Sequence, residues 1–338
     1  MHSHRGTSKS TIAVVGGESL LGKEVRELLE SGNLGASITL IASEASEDSN
    51  VIIRGAEEPL VMSSLEAPDL KLAKAIVLAG SAESSRKVHE QFRGAAPVLI
   101  DLTGALEDLA ETRLRAPQVE LPDFRGASSI QEIAHPAAIA LALFLIQLHK
   151  SAKIARSVVQ IFEPVSERGH AGIDELQKQT VGLLSFKPLK KDVYDAQVSF
   201  NMLAEYGSES PHSLAAIEQK IDRHLASLLA RAGALPMPSL RLIQAPVFHG
   251  YSISMWVEFE ANVDLETLER GLASSQIDVR GKEHEPPTNV GVAGQSGITV
   301  GAIAPDRNQP RAWWFWMVAD NLRIAAENAV EVAREVIK

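Results

Sequence analysis

The stretch Thr-Ile-Ala-Val-Val-Gly-Gly-Glu-Ser-Leu-Leu-Gly, residues 11–22, decides the fold of the N-terminal part of the chain. Its first five residues form a β-branched apolar run, which is typical of a strand buried on both faces. A glycine-rich turn follows, and residues 23–30 then carry apolar side chains at helical spacing. This order of strand, turn and helix predicts the opening unit of a dinucleotide-binding sheet, because the glycines let backbone N–H groups approach a pyrophosphate.

Further apolar runs extend this pattern along the chain. Residues 37–42, 75–78 and 98–100 are predicted strands, and helical patterns lie between at least the last two. Strands that alternate with helices favour a mostly parallel sheet with helices on its faces. The N-terminal part is therefore predicted to be an α/β domain.

The glycine-rich turn supplies candidate contacts to a cofactor, namely Gly16, Gly17, Ser19, Leu21 and Gly22. Ser19 stands where such turns usually have their middle glycine, and its Cβ would crowd the pyrophosphate. The loop of residues 43–48 holds three acids and no basic residue. Glu44 in this loop can accept a hydrogen bond from a ribose diol and would repel a 2′-phosphate. The turn is therefore compatible with NAD and disfavours NADP, and a domain whose ligand pocket has decayed stays an open alternative.

Composition and charge limit the function classes. The chain has 338 residues, enough for two packed domains, and 45% of them are hydrophobic, which excludes wholesale disorder. Its formal net charge is −10, so a generic nucleic-acid partner is excluded. It contains no cysteine, which removes disulfides, cysteine-bound metals and every mechanism with a thiolate nucleophile.

No segment of the sequence predicts a membrane partner. Residues 1–10 are polar and are predicted to be a flexible tail without the apolar core of a signal peptide. The longest apolar stretch, residues 137–148, is too short to cross a bilayer. We therefore expect a cytoplasmic protein.

The pattern changes at about residue 135. Predicted helices are residues 137–148, 172–184 and 214–229, and predicted strands are residues 158–162, 240–248, 252–261 and 313–318. Residues 281–297 are predicted to be a loop. Residues 320–338 form a closing helix with one apolar face, which we expect to pack on the first domain, because a lone helix cannot bury such a face.

Five segments, in order along the chain, carry a family resemblance: residues 14–22, 162–169, 199–202, 245–252 and 318–330. The most specific are APVFHGYS at residues 245–252 and VADNLR at residues 318–323. The chain resembles aspartate-semialdehyde dehydrogenase over essentially its whole length. The resemblance implies an α/β fold: a Rossmann-type nucleotide-binding domain of residues 11–134 and 319–338, and an α+β dimerisation domain of residues 135–318 with a large mixed or antiparallel sheet. It also implies a homodimer, and it adds Gly80, Ser81 and Asn321 to the candidate cofactor contacts.

The resemblance also implies what has changed. The family reduces an acyl phosphate with NADPH through a thioester, which requires a cysteine nucleophile, a histidine acid–base and cations for anionic groups. The cysteine position falls on Pro136, the histidine on Tyr251 and a substrate-positioning glutamine on Glu163. A phosphate-binding arginine falls on Glu107, and the segment that contacts the 2′-phosphate becomes the acidic loop at Glu44. No catalytic residue of the family is therefore expected to remain.

Three functions follow as hypotheses. The first is a family member without catalytic activity that binds a nicotinamide nucleotide and acts as a regulatory or structural homodimer, with an active paralogue as a further partner. The second is an NAD-dependent oxidoreductase on an aldehyde or oxo substrate, by direct hydride transfer with Tyr251 or His135 as the acid. The third is a binding module for an unrelated cationic or neutral ligand, favoured by Glu163 and Glu167. Whether the chain is an enzyme stays open.

Histidines and aromatic residues give weaker signals. Five residues could converge near the altered positions, namely His135, Glu163, His170, His249 and Tyr251, but their irregular spacing predicts no metal site. The remaining histidines are predicted to lie on the surface or in the tail, namely His2, His4, His89, His149, His212, His224 and His284. The run Trp-Trp-Phe-Trp at residues 313–316 predicts a strand with two rings at a sheet-to-sheet or subunit contact.

Overall fold

A computed structural model describes residues 10–43, 50–54, 59–66, 68–93, 96–121, 124, 128–233 and 235–338. The predicted tail, apart from Ser10, and Glu44 lie outside the described residues. The chain divides into two compact units. The first comprises Met1–Pro117, Asp123–Ala134 and Ala325–Lys338, and the second comprises Gln118–Pro122 and His135–Ile324.

The first unit contains a sheet of eight strands. Its elements are β1 (Thr11–Val15), α1 (Leu20–Ser31), β2 (Ser37–Ile41), β3 (Asn50–Arg54), β4 (Pro59–Ser63), β5 (Ala73–Leu78), α2 (Ala82–Gln91), β6 (Val98–Asp101), β7 (Thr112–Arg115) and β8 (Ile130–Ile133). The strand order is β3-β4-β2-β1-β5-β6-β8-β7. All neighbouring strands pair in parallel except the hairpin of β3 and β4. The prediction of a mostly parallel sheet is therefore confirmed.

The middle strands of this sheet form the core of the first unit. Ile12, Ala13, Val14 and Val15 in β1 are fully buried, as a strand with helices on both faces requires. The strands β3, β4, β7 and β8 were not predicted from the sequence. The hairpin of β3 and β4 extends one edge of the sheet beyond β2, and the short strands β7 and β8 extend the other.

The second unit contains a mixed sheet of six strands. Its elements are α3 (Pro136–Ser151), β9 (Ile154–Glu163), α4 (Gly169–Leu184), α5 (Leu214–Ala232), β10 (Ser239–Gln244), β11 (Tyr251–Phe259), α6 (Leu265–Leu272), β12 (Ile277–Val279), α7 (Asn289–Val292), β13 (Ile298–Pro305) and β14 (Ala312–Ala319). The strand order is β10-β9-β11-β14-β13-β12, with parallel pairs at both edges and antiparallel pairs between them. This is the mixed sheet that the family resemblance implied.

The two faces of this sheet differ. The inner face carries fully buried side chains such as Ile161, Ile253 and Met255. Helix α3 is buried almost all round, since every residue from Ala137 to Leu145 has at most 7% of its surface exposed. The outer face carries the alternate residues of each strand. Trp313 therefore points inward, whereas Trp314 on the opposite face is 43% exposed.

The strand after α5 and the predicted loop of residues 281–297 differ from the predictions. The strand predicted for residues 240–248 ends at Gln244, because Pro246 has no N–H to donate to a sheet. The short helix α7 begins inside the predicted loop, after the capping residue Thr288. The closing helix α8 spans Asn321–Ile337, and from Ala325 onward it belongs to the first unit, as expected.

Candidate functional site

The glycine-rich turn between β1 and α1 leaves backbone donors free at the start of the helix. Ser19 is the N-cap of α1, and its hydroxyl accepts from the Gly22 N–H at 2.8 Å and donates to the Ala79 carbonyl at 2.7 Å. In the part of the chain that the structure describes, the N–H groups of Leu20 and Leu21 donate to no hydrogen bond. Two free N–H groups at a helix N-terminus, after a glycine turn, fit the pyrophosphate of a dinucleotide.

Most glycines of this region are required for packing. A Cβ on Gly16, which has φ +84°, would lie 2.2 Å from the Cα atom of Gly80. A Cβ on Gly22 would lie 2.0 Å from the Gly16 carbonyl oxygen. At Gly17 the closest atom would be the Met62 sulfur at 3.2 Å, so this position is less constrained. The turns after β1 and β5 therefore touch backbone to backbone, whether or not a cofactor binds.

The remaining predicted cofactor contact in the first unit has an internal role. Ser81 is the N-cap of α2 and forms a reciprocal capping box with Ser84. This capping satisfies N–H groups at the start of α2.

Glu18 was missed as a candidate, although it lies inside the turn that decides the fold. Its Oε1 atom accepts a hydrogen bond from the Ser43 backbone N–H at 2.9 Å and another from the Ser43 hydroxyl. Its Oε2 atom is buried and has no hydrogen-bond partner among the described residues. Ser43 follows β2, and the C-terminal end of the second strand is where dinucleotide-binding folds hold an acid against the ribose. The position of this acid within the glycine-rich turn was the sequence signal that could have identified it as a candidate.

The start of α3 carries no nucleophile. Pro136 occupies the first turn, where a missing N–H costs nothing. The residues that follow, as far as Leu145, are alanine, isoleucine, leucine and phenylalanine.

His135 caps α3 and is neutral. Its Nδ1 atom accepts from the Ala137 N–H at 3.3 Å, so the imidazole proton is on Nε2. Burial lowers the pKa of His135 well below its usual value, and the nearby positive charge of Lys220 lowers it further. The Nε2 atom lies 4.0 Å from an oxygen of Glu167.

The prediction that His224 lies on the surface is wrong. The residue is 3% exposed, and its Nδ1 atom accepts from the His135 backbone N–H at 2.9 Å. It lies three residues after Ile221 and four before Leu228, so it shares the buried face of α5. That spacing was the signal in the sequence.

Glu163 is fully buried at the end of β9 and is paired. Its Oε1 atom accepts from a guanidinium nitrogen of Arg168 at 3.0 Å, and its Oε2 atom lies 3.0 Å from the Tyr206 hydroxyl. Burial opposes the charge of Arg168, but the neighbouring acidic groups, of which Glu163 contributes most, together outweigh burial and raise the pKa of the guanidinium. The Tyr206 hydroxyl also lies 2.7 Å from Gln244 Oε1, so its single proton is shared between two acceptors.

Glu167 lies beside this pair. Burial raises the pKa of its carboxyl group from 4.5 to about 7, and the charge of Glu163 adds to the shift. Its Oε1 atom accepts from the Asn321 side-chain amide at 2.8 Å. The Asn321 Oδ1 atom in turn accepts from the Gly250 N–H at 3.0 Å. Asn321, a predicted cofactor contact, therefore has both ends of its amide engaged within the second unit.

Tyr251 is fully buried, and its ring centroid lies 6.2 Å from that of His135. Burial raises the pKa of the phenol well above its usual value, and the charges of Glu167 and Glu163 act in the same direction. The hydroxyl makes no hydrogen bond of ordinary geometry among the described residues. Tyr251 is therefore a protonated donor that cannot act as a base near neutral pH.

Three of these side chains lie close enough to suggest a metal site. One ligand atom each of His135, Glu163 and Glu167 lies within 4.8 Å of the others. However, the proton on His135 Nε2 blocks coordination by that atom, and Arg168 already neutralises Glu163. The donor set therefore does not fit a metal ion.

The expected cluster forms only in part. His135, Glu163 and Tyr251 converge, together with Glu167. His170, by contrast, is exposed at the start of α4. His249 contributes its backbone carbonyl to the Asn289 side chain.

Comparisons with known proteins identify relatives along the whole chain. The model of the semialdehyde dehydrogenase dimerisation domain matches residues 145–324. A USG-1 protein homolog from Pseudomonas aeruginosa is 32% identical over 97% of this chain and 97% of its own length. An aspartate-semialdehyde dehydrogenase from Rickettsia bellii is 28% identical over 98% of this chain and 99% of its own.

Solved structures agree with these matches. A probable aspartate-semialdehyde dehydrogenase from Pseudomonas aeruginosa superposes with a TM-score of 0.84 at 29% identity, covering 98% of this chain and 99% of the other. Within the described residues, none of the helices has the length and apolarity that a bilayer span requires.

Proposed function

This chain belongs to the aspartate-semialdehyde dehydrogenase family, and we propose that it is a member without catalytic activity that binds NAD and acts as a regulatory or structural homodimer. The observation that carries the proposal is the start of α3. The family's covalent chemistry needs a thiolate there, and this segment offers only proline and hydrocarbon side chains in a chain without cysteine.

The polar residues at the altered positions support the loss of activity. Arg168 forms an ion pair with Glu163, and Asn321 donates a hydrogen bond to Glu167. Side chains that satisfy one another inside the unit are not available to hold an anionic substrate. The pairing therefore fits a structural network in place of a substrate site.

The same geometry disfavours direct hydride transfer. An acid for that reaction must reach the oxygen of the substrate. Tyr251 has no exposed surface, and the side chain of His135 is only 9% exposed. Neither side chain is accessible to an aldehyde in the described structure.

Nicotinamide-nucleotide binding is supported by the turn after β1. Within the described part of the chain, the N–H groups of Leu20 and Leu21 are free and fit the pyrophosphate. The buried Oε2 atom of Glu18 has no donor there, and a sugar hydroxyl could supply one. A bound NAD would contribute the redox chemistry of nicotinamide. The chain has no cysteine on which the thioester of the family's reaction could form. NADP is disfavoured by the acids of this region.

The homodimer is supported by the outer face of the six-stranded sheet. Val158, Trp256 and Trp314 lie side by side on β9, β11 and β14, and Trp316 lies in the next row. Both Trp256 and Trp314 donate their indole N–H groups to Asp306, so their rings can be covered without burying an unpaired donor. A second copy of this chain would cover the face, in keeping with the dimerisation-domain match.

Turnover and association together test the proposal. The purified protein is assayed for phosphate-dependent oxidation of aspartate semialdehyde with NAD and with NADP, and its mass is measured by analytical ultracentrifugation. We expect no turnover above background and a dimer. Turnover at the rate of an active relative assayed in parallel would refute the loss of activity, and a monomer would refute the homodimer.

A further inference from the structure

We propose that Glu18 selects NAD over NADP by accepting a hydrogen bond from the adenosine ribose. The inference rests on the nucleotide binding proposed above and adds the residue that would set its specificity. Glu44, which the sequence suggested for this role, lies outside the described residues.

The position of the Glu18 carboxylate is fixed by Ser43. Both the backbone N–H and the hydroxyl of Ser43 donate to Oε1, which holds the side chain in one orientation. Among the described residues, Glu18 has no cationic partner. The carboxylate is therefore a preoriented acceptor.

The second carboxylate oxygen of Glu18, Oε2, is the atom that would bind a ligand. No residue that the structure describes donates a hydrogen bond to the buried Oε2 atom, which is unfavourable for a carboxylate oxygen. A ribose hydroxyl is a neutral donor of the right kind. A 2′-phosphate has acceptor oxygens and negative charge instead, and it would repel the carboxylate.

The Glu18 carboxylate lies at the edge of the sheet where a ribose would bind. A Cβ on Gly80 would lie 2.7 Å from the Ser43 Cβ atom and 3.2 Å from the Gly16 Cα atom. The turns after β1, β2 and β5 therefore meet at one edge of the sheet, at the carboxyl ends of parallel strands. Ligands of open α/β sheets bind at that edge, with the ribose near the end of the second strand.

Isothermal titration calorimetry with NAD and NADP tests the proposal on the full-length protein. The variants are Glu18→Gln, which keeps an oxygen for Ser43 but removes the charge, and Glu30→Gln as a control. Glu30 lies at the exposed end of α1, with a side chain 60% exposed. We expect the wild type to bind NAD at least tenfold more tightly than NADP. Glu18→Gln should reduce that ratio about tenfold, because a charge-assisted hydrogen bond is lost and a repulsion removed, and Glu30→Gln should leave it unchanged.

The outcomes separate this inference from the proposed function. If neither dinucleotide binds the wild type, nucleotide binding itself is wrong, and the role of Glu18 falls with it. If NAD binds and Glu18→Gln leaves the ratio unchanged, only the role of Glu18 is refuted. Tighter binding of NADP than of NAD by the wild type would also refute it. Thermal unfolding of each variant verifies that the fold is intact.

Discussion

Glu163 and Arg168 form a buried ion pair at the end of β9. Arg168 is the last residue of a short 3-10 turn, Val165–Arg168, which folds the guanidinium back towards the end of β9. The side chains of Glu163 and Arg168 are 0% and 13% exposed, so each ion depends on the other for the solvation it has lost. A buried pair of this kind adds little to stability, yet either partner alone is costly.

Removing one partner of this pair should therefore destabilise the protein strongly. We expect Arg168→Met to lower the free energy of unfolding by about 3–5 kcal/mol, because it leaves the Glu163 carboxylate buried without a counter-charge. The double variant Glu163→Gln with Arg168→Met should recover most of this loss. Urea unfolding followed by circular dichroism measures both. Lys178→Met is the control, since its partner Asp174 and its own side chain are about 60% exposed.

Glu167 should make stability depend on pH. Its carboxyl pKa is raised from 4.5 to about 7 in the folded protein, so the folded state holds the proton more tightly than the unfolded state. This contribution is present below pH 4.5 and is lost as pH rises through 7, by at most about 3 kcal/mol. Urea unfolding from pH 5 to pH 8 gives the free energy of unfolding of the wild type and of Glu167→Gln. We expect the wild-type value minus the variant value to fall as pH rises.

The difference between the two proteins is the informative quantity, because His135 acts in the opposite sense. Its pKa is lowered by burial, so stability from this residue is lost as pH falls below 6.5. That contribution is present in both proteins and cancels to first order. A flat difference curve would show that Glu167 is ionised throughout this range.

At the scale of elements, the sequence predicted those whose signal is local. The β-branched run of β1, the apolar run of α3 and the stripe of α5 all correspond to observed elements. Strands β7 and β8 were missed, because they are four residues long and contain Arg115 and Glu132. Arg115 is buried through a 2.8 Å ion pair with Glu335, a partner 220 residues away, which no local pattern reveals.

In the candidate site too, the sequence indicated individual residues but not the contacts between residues that the fold brings together. The family resemblance predicts that Glu163 and Tyr251 stand at positions where the family has other residues. It could not predict that Arg168 would neutralise Glu163, because that contact depends on the 3-10 turn between them. It also missed Glu18, whose contact with Ser43 joins two turns that are separated in sequence.

The turn before α1 should tolerate no side chain at Gly22. A Cβ there would lie 2.0 Å from the Gly16 carbonyl oxygen, so Gly22→Ala must move the turn. We expect a loss of about 2 kcal/mol or more in stability, together with weaker NAD binding. Gly281→Ala is the control, since the closest atom to its Cβ would be an oxygen of Glu269 at 3.5 Å. Thermal unfolding with and without NAD measures both effects, and equal behaviour of the two variants would contradict the argument.

At the scale of the whole molecule, the outer face of the second unit's sheet carries apolar side chains that would be exposed to solvent in a monomer. Val158 is 45% exposed and Trp314 is 43% exposed, and they flank Trp256 across three neighbouring strands. Such a contiguous apolar surface is typical of a protein interface, where aromatic side chains contribute most of the binding energy. At its far end, Glu258 pairs with Arg156 and Arg311 and supplies a charged rim.

A charge in the centre of this face should prevent association. We expect Trp314→Glu to convert the dimer to a monomer at micromolar concentration, because the carboxylate would have to be buried without a partner and would face Asp306. Trp314→Phe should keep the dimer, since it retains an aromatic ring. Leu72→Glu controls for a charge placed on an exposed apolar residue elsewhere, since Leu72 is 72% exposed in the first unit. Sedimentation velocity over a concentration series measures the association of each variant, and a Trp314→Glu protein that stays dimeric would require an interface on another surface.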